Sequence, residues 1–367
     1  MTTGKPLVLI MAGGTGGHVY PALAIATELH ERGYRVEWVG TARGLEARVV
    51  PAAGITLHTL AVRGVRGKNA LSRIVAILSL IIASVQALWL TYRLSPVCVV
   101  GLGGYVAGPA GVAAWLLRKP LIIQEQNAVA GTSNRMLVPF ASKILAGFPG
   151  AFSNDIESTT VGNPVRRELV ERGASSTYSY TGQRPLRLLI VGGSLGARPI
   201  NEVLPAVILE LFKTGVSDAI EVRHQCGEAH FESVRSAYGD LNSDRIQVSA
   251  FIDDMAEAYS WADLVLCRAG ALTVSELAIM GRPAILVPLP QAIDDHQSAN
   301  ARSLSDNGAA VLLAQAQMTV ETLLEILRGY IANPQRLASM AKAAAAAAIP
   351  DATGRVCDYC EELIHDR

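Results

Sequence analysis

Charge is what this 367-residue sequence has least of. Only 17% of its residues are charged, and 32 Lys and Arg offset 32 Asp and Glu. A net charge of zero excludes any argument about partners from the chain as a whole. The five cysteines are an odd number scattered over a long chain, which excludes a disulfide framework. The opening stretch, MTTGKPLVLIMAGG, has one Lys and a short apolar run that leads into glycines. It reads as a first strand rather than a signal peptide, and a cytoplasmic location is expected. What the chain does have is apolar material: half of its residues are hydrophobic. That is too apolar for disorder, and the length fits two domains of ordinary size.

The few charges are unevenly placed. Residues 1–163 hold 14 Lys and Arg against 7 Asp and Glu, and residues 164–367 hold 18 against 25. A basic first half favours an anionic surface or ligand there. Short β-branched runs alternate with helical stretches, which predicts βαβ units and parallel sheets. Strands are expected at 6–12, 35–40, 97–101 and 120–126. The scheme restarts at LRLLIVGGSLGARPINEVLPAVILELF (186–212), and AIEVRHQCG, RIQVSAFI, ADLVLCRAG and PAILVPLP supply further strands. Two restarts imply an α/β chain of two doubly wound, Rossmann-like domains facing across a cleft, 1–163 and 164–350. The alanine run before Pro350 predicts a helix. Asp351 is expected to cap a last one (351–367), with Val356, Cys360, Leu363 and Ile364 on a face that packs back on the first domain.

Three glycine-bearing turns follow strands. GGTGGH (13–18) opens a helix whose free N–H groups suit an anion, although a tight turn needs glycine in any case. A dinucleotide site would want an acidic residue ending the second strand; Gly40 and Thr41 stand there, so NAD is discounted. GGSLGA (192–197) repeats the device, with the Ser194 hydroxyl added. In CRAGALTVSELAIMGRP (267–283), Ala271, Leu272, Thr273, Val274 and Ser275 open a helix. Glu276 follows as a ribose-binding carboxylate or an ordinary helix-start acid. His18 is placed to take a proton from an attacking hydroxyl, or only to hydrogen-bond; Glu125 in QEQN is the competing base.

Residues 74–92, IVAILSLIIASVQALWLTY, carry no charge and are long enough to span a bilayer. Spanning is rejected because it would put the GGTGGH and GLGGY turns of one sheet edge on opposite sides. The bulky positions 74, 77, 78, 81, 82, 85, 88 and 89 recur at helical spacing and predict a core face, leaving Leu80 and Leu90 over. Arg63, Arg66, Lys68, Arg73 and Arg93 flank the stretch, which fits shallow docking on anionic lipid. Cys357 and Cys360 form a C-x-x-C without the context of a metal or redox site, and a chance helical spacing is expected.

Taken in order, AGGTGGHVYPALA, GLGGYVAGPAG, QEQNAVAGTSNRML, AGFPGAF, VGNPVR, GGSLGARPIN, HQCGE, FIDDM and RAGALTVSE resemble the MurG family along nearly the whole chain. The resemblance implies a GT-B fold and inverting transfer of N-acetylglucosamine from UDP-GlcNAc to undecaprenyl-diphospho-muramoyl-pentapeptide, in peptidoglycan synthesis. It implies donor contacts at Thr15, Gly16, Gly17, Asn127, Arg166, Ser194, Ile252, Ala271, Leu272, Thr273, Glu276 and Gln297. The partners implied are the lipid-linked acceptor, the cytoplasmic membrane face and proteins of division and wall synthesis, with no nucleic acid. The sequence has no D-x-D with which to hold a divalent metal, so helix N-termini and Arg166 are expected to hold the diphosphate. No cofactor is expected. Leu195 departs from the family's usual Gln, and Asp294-Asp295-His296-Gln297 from its D-x-Q-Q, so His296 is a substitute donor contact. The alternatives are a UDP-sugar epimerase of the same architecture and a non-catalytic nucleotide-sugar-binding scaffold.

Overall fold

A computed structural model describes residues 5–62, 70–193, 195–213, 219–239, 245–290 and 292–366, with the side chains of 70–76 and Ile293 left aside. Arg63, Arg66, Lys68 and Ser194, together with the Arg73 side chain, lie outside the described residues. The chain divides into two compact units, 1–166 with 350–367, and 167–349. The first boundary falls at Arg166, three residues beyond the expected 163.

In the first unit the order is β1 (Leu7–Ala12), α1 (Gly16–Glu31), β2 (Arg35–Gly40), α2 (Glu46–Ala52), β3 (Thr56–Thr59), α3 (Ala70–Leu94) and β4 (Cys98–Gly103). Then come α4 (Ala107–Leu116), β5 (Leu121–Glu125), α5 (Thr132–Leu137), β6 (Lys143–Ala146) and β7 (Thr159–Thr160). The strands pair in parallel in the order β3-β2-β1-β4-β5-β6-β7. β1 is apolar throughout because both its faces are covered. Val8 and Ile10 face α1 with Val19, Ile25 and Leu29, while Leu9 and Met11 face α3 and α4.

The second unit runs α6 (Arg167–Ser175), β8 (Leu186–Val191), α7 (Arg198–Leu211), β9 (Ile220–Gln225), α8 (Phe231–Tyr238), β10 (Ile246–Ser249) and α9 (Met255–Trp261). It continues with β11 (Leu264–Cys267), α10 (Ala271–Ile279), β12 (Ala284–Leu286), α11 (His296–Ser305), β13 (Ala310–Leu312), α12 (Val320–Ala332) and α13 (Pro334–Ala346). Its parallel order is β10-β9-β8-β11-β12-β13. Asp263, at the head of β11, accepts both Nη atoms of Arg184 (2.5 and 2.7 Å) and the Arg187 amide (3.0 Å), which ties β11 to the start of β8.

The last helix, α14 (Ala352–His365), returns to the first unit and packs on α1. Val356, Cys357 and Cys360 are fully buried there, with Leu363 and Ile364 half-covered. A buried Val contributes about 1.5–3 kcal/mol. Arg32 fixes the seam through Asp358 (2.7 Å) and Glu361 (2.8 Å). Burial pushes the Cys357 thiol up to about 12, so this C-x-x-C is core packing. Asp351 stands at the N-cap, but its carboxylate pairs with Arg355 Nε (2.8 Å) instead of the backbone. The alanine helix stops at Ala346, short of Pro350.

The expected core face of α3 is corrected. Ala83, Ala87, Leu90 and Thr91 are buried, while Ile77, Leu78, Ile81, Ile82, Val85 and Trp89 are all at least half exposed. The reason is packing distance. α3 lies against α4, whose facing residues are Ala110, Ala113 and Ala114, and small side chains let two helices approach closely. Size drew the expectation to the wrong side. A span of 18 residues, Ile77–Leu94, is apolar and long enough to cross a membrane, yet only 22% of it is buried. Because β3 and β4, on either side of α3, belong to one sheet, the helix does not cross one here.

Candidate active site

Each sheet reverses its direction of winding once, between β1 and β4 in the first unit and between β8 and β11 in the second. Ligands of open α/β sheets bind beyond the carboxyl ends of the strands at such a point. The glycine turns are there. GGTGGH leaves β1, GGY leaves β4, GGSLGA leaves β8, and Arg268-Ala269-Gly270 leaves β11.

In the first unit the two turns touch. A Cβ on Gly104 (φ +85°) would collide with the Gly13 carbonyl oxygen, so only glycine fits. Behind them lies a fully buried carboxylate, Glu46, which accepts from the amides of Gly14 (3.0 Å) and Thr41 (2.9 Å) and from the Thr41 hydroxyl (2.7 Å). Thr15 caps α1 by backbone only; its hydroxyl makes no cap bond, and Gly16 and Gly17 form the first turn. The helix N-terminus thus keeps amides for an anion, worth roughly 0.3–1 kcal/mol from the dipole. Arg166 ends this unit with its guanidinium 5.9 Å from the ring centroid of Tyr20 on α1.

His18 Nδ1 lies 2.6 Å from Gln126 Oε1. Glu125, the competing base, is buried and receives four hydrogen bonds: from the Asn127 amide (2.8 Å), Asn127 Nδ2 (3.1 Å), the Gly131 amide (2.9 Å) and Asn134 Nδ2 (2.8 Å). A carboxylate so enclosed organises its loop, its lone-pair sites taken up by these donors. The same bonds orient Asn127.

In the second unit α10 starts at Gly270 with no side-chain cap, leaving the amides of Ala271, Leu272 and Thr273 at the switch point. Val274 is buried, and the Ser275 hydroxyl bonds back to the Ala271 carbonyl (3.0 Å). Glu276 is half-buried and accepts from the Tyr259 hydroxyl (3.1 Å). Arg268 steadies the turn through the carbonyls of Val287 and Pro288 (both 3.2 Å) and Gln315 Oε1 (2.7 Å). Ile252 sits on the loop after β10, half-buried, beside an exposed Phe251. Gln297 spends Oε1 on the Leu289 amide (2.9 Å). Before it, Asp294 and Asp295 both take left-handed backbone (φ 54° and 50°), which is strained for non-glycine residues. His296 opens α11 there.

Sequence reasoning missed Glu46, Gln126 and Arg268. Only Arg268 left a trace, a cation ending an apolar strand.

The glycosyltransferase family 28 N-terminal domain matches residues 8–146, and the family 28 C-terminal domain matches 187–356. Fold and turns together define a two-domain glycosyltransferase of the GT-B type. The UDP-N-acetylglucosamine--N-acetylmuramyl-(pentapeptide) pyrophosphoryl-undecaprenol N-acetylglucosamine transferase of Stutzerimonas stutzeri (strain A1501) is 51% identical over 98% of this chain and 99% of its own. Its namesake from Pseudomonas putida (strain W619) is 50% identical, covering 98% of both chains. The crystal structure of Acinetobacter baumannii MurG superposes with a TM-score of 0.81 at 40% identity, over 97% of this chain and 99% of that one. The chain belongs to this MurG family.

Proposed function

We propose that this protein transfers N-acetylglucosamine from UDP-GlcNAc to the 4-hydroxyl of undecaprenyl-diphospho-MurNAc-pentapeptide, with inversion and without a metal. The observation that carries the reading is the presence of an anion-ready glycine turn at the switch point of each sheet. In the second unit, α10 receives the diphosphate at its N-terminus and Glu276 holds the ribose. Ile252 meets the uracil through its backbone, and Gln297 the sugar. In the first unit, the resemblance to the family assigns donor contacts to the turn Thr15–Gly17, Asn127 and Arg166. The acceptor oxygen attacks the anomeric carbon as the bond to UDP breaks, and the electron pair leaves with the diphosphate. His18 Nε2 takes the hydroxyl proton, and helix N-termini with Arg166 hold the departing charge.

A cavity of about 750 Å3 in the first unit supports the acceptor half. Its polar end is Gly14, Thr41 and Arg43; its apolar end is Leu60, Val62, Leu78 and Ile82. A prenyl diphosphate has those two ends. Leu78 and Ile82 also belong to the exposed apolar face of α3, where Arg93 lies 4.6 Å from the Trp89 ring. That face docks shallowly on anionic lipid at the cytoplasmic side of the membrane, where wall-synthesis and division proteins are the expected neighbours.

UDP release measured with and without the lipid-linked acceptor tests the reading. Release that requires acceptor supports it. Epimerised UDP-sugar formed without acceptor, or donor binding with no turnover, overturns it.

A further inference from the structure

We infer that Gln126 is the positioning residue for His18: its amide holds the imidazole with the proton on Nδ1 and the lone pair on Nε2. The inference rests on the reading of His18 as the proton acceptor.

The direction of the amide follows from its other end. Gln126 Nε2 lies 2.8 Å from the backbone oxygen of Gln124, a group that only accepts, and 2.5 Å from Gln124 Oε1. The end that faces Gln124 is therefore NH2, and the end that faces His18 at 2.6 Å is the carbonyl. A carbonyl opposite Nδ1 requires a proton on Nδ1, which leaves Nε2 of the neutral ring unprotonated.

The arrangement is locked further back. Asn163 Nδ2 donates to the Gln126 backbone oxygen (3.0 Å), and this too fixes an amide against an obligate acceptor. Its Oδ1 receives Gln124 Nε2 (3.4 Å), so Gln124 presents Oε1 to Gln126. Gln124, Gln126 and Asn163 are all buried. A satisfied polar ladder inside an apolar unit has one arrangement, and a reversed amide anywhere along it would oppose donor to donor or acceptor to acceptor. Among the described residues, the His18 ring hydrogen-bonds this neutral amide and no charged group. The ring also lies close to Gly103: a Cβ there (φ +110°) would sit 3.1 Å from His18 Cε1 and 3.2 Å from Nδ1.

The test reads the ring directly. In the full-length chain with 15N-labelled histidine, assigned by comparison with His18→Ala, the neutral ring of His18 should show a protonated Nδ1 and a bare Nε2. Gln126→Met should lower kcat at least about tenfold, within the roughly 10²–10⁴ that a positioned base supplies, and leave KM for UDP-GlcNAc within about twofold. Gln126→Glu keeps an acceptor opposite Nδ1 but sets an oxygen against the two Gln124 oxygens and adds a charge, so it should turn over faster than Gln126→Met and move the acid limb of kcat/KM upward by about one pH unit or more. A proton found on Nε2 in the wild type, or both variants matching wild type in kcat and pH profile, overturns the role of Gln126. Full activity in His18→Ala, with the wild-type proton on Nδ1, would instead remove His18 as the base.

Discussion

Glu46→Gln is a one-atom test of how the first glycine turn is held. Glu46 Oε1 serves the Thr41 amide and hydroxyl at 2.9 and 2.7 Å, while Oε2 serves the Gly14 amide at 3.0 Å. Glutamine has one oxygen for these two sites. Kept on Thr41, where it satisfies two donors, it turns NH2 towards the Gly14 amide and leaves that donor unpaired. An unsatisfied buried donor costs about 1–3 kcal/mol, and hydrogen bonds to a charged group are worth about 1.5–3 each. We expect a loss of about 2 kcal/mol, localised on the turn, because the packing of Gly13, Gly40 and Gly44 around Glu46 is unchanged. Hydrogen exchange resolves this. The Gly14 amide should exchange roughly thirtyfold faster at 2 kcal/mol, with Thr41 little altered. KM for the lipid acceptor should rise, since Gly14 and Thr41 line the same cavity. An unchanged Gly14 rate would refute the argument.

Glu276→Ala removes a charged hydrogen bond, roughly 1.5–3 kcal/mol, so KM for UDP-GlcNAc should rise at least about tenfold; an unchanged KM ends the ribose assignment. Pairing Ile77→Asp with Ile81→Asp, at positions 59% and 55% exposed, should release the protein from anionic vesicles with its melting point unchanged; persistent binding would place the docking face elsewhere. His224 is buried between the Tyr238 hydroxyl (3.0 Å) and Asn201 Oδ1 (3.1 Å), and burial pushes its pKa from 6.5 down to about 3. Its native value lies below the unfolded one, so its contribution is complete above pH 6.5. It falls by about 1.4 kcal/mol per pH unit as pH drops from 6.5 towards 3. Urea unfolding of His224→Gln should show a shallower slope across that window, and a slope equal to wild type contradicts it.

The sheet cores were legible because β1, buried on both faces, reads as an unbroken apolar run, and β8 reads as one broken only by Arg187. The turns were legible because close approach, as at Gly104, leaves no choice but glycine. β7 has two residues, too few for any period. The buried face of α3 was illegible for another reason: with no charged residue between 74 and 92 to mark the outside, size stood in for burial, and α4 selected alanines. Gln126 was invisible because an amide acquires direction only from partners such as Gln124 and Asn163, brought near by the sheet. Glu125 stood in the sequence as a base and proves to be enclosed by its own loop.

The central claim meets its most direct test in one reaction: purified protein, UDP-GlcNAc and a muramoyl-pentapeptide prenyl diphosphate, run in excess EDTA and read by mass and by the anomeric coupling of the product. The account predicts an acceptor heavier by one N-acetylhexosamine in β linkage, at an undiminished rate. No product, an α linkage, or turnover restored only by a divalent metal would contradict it.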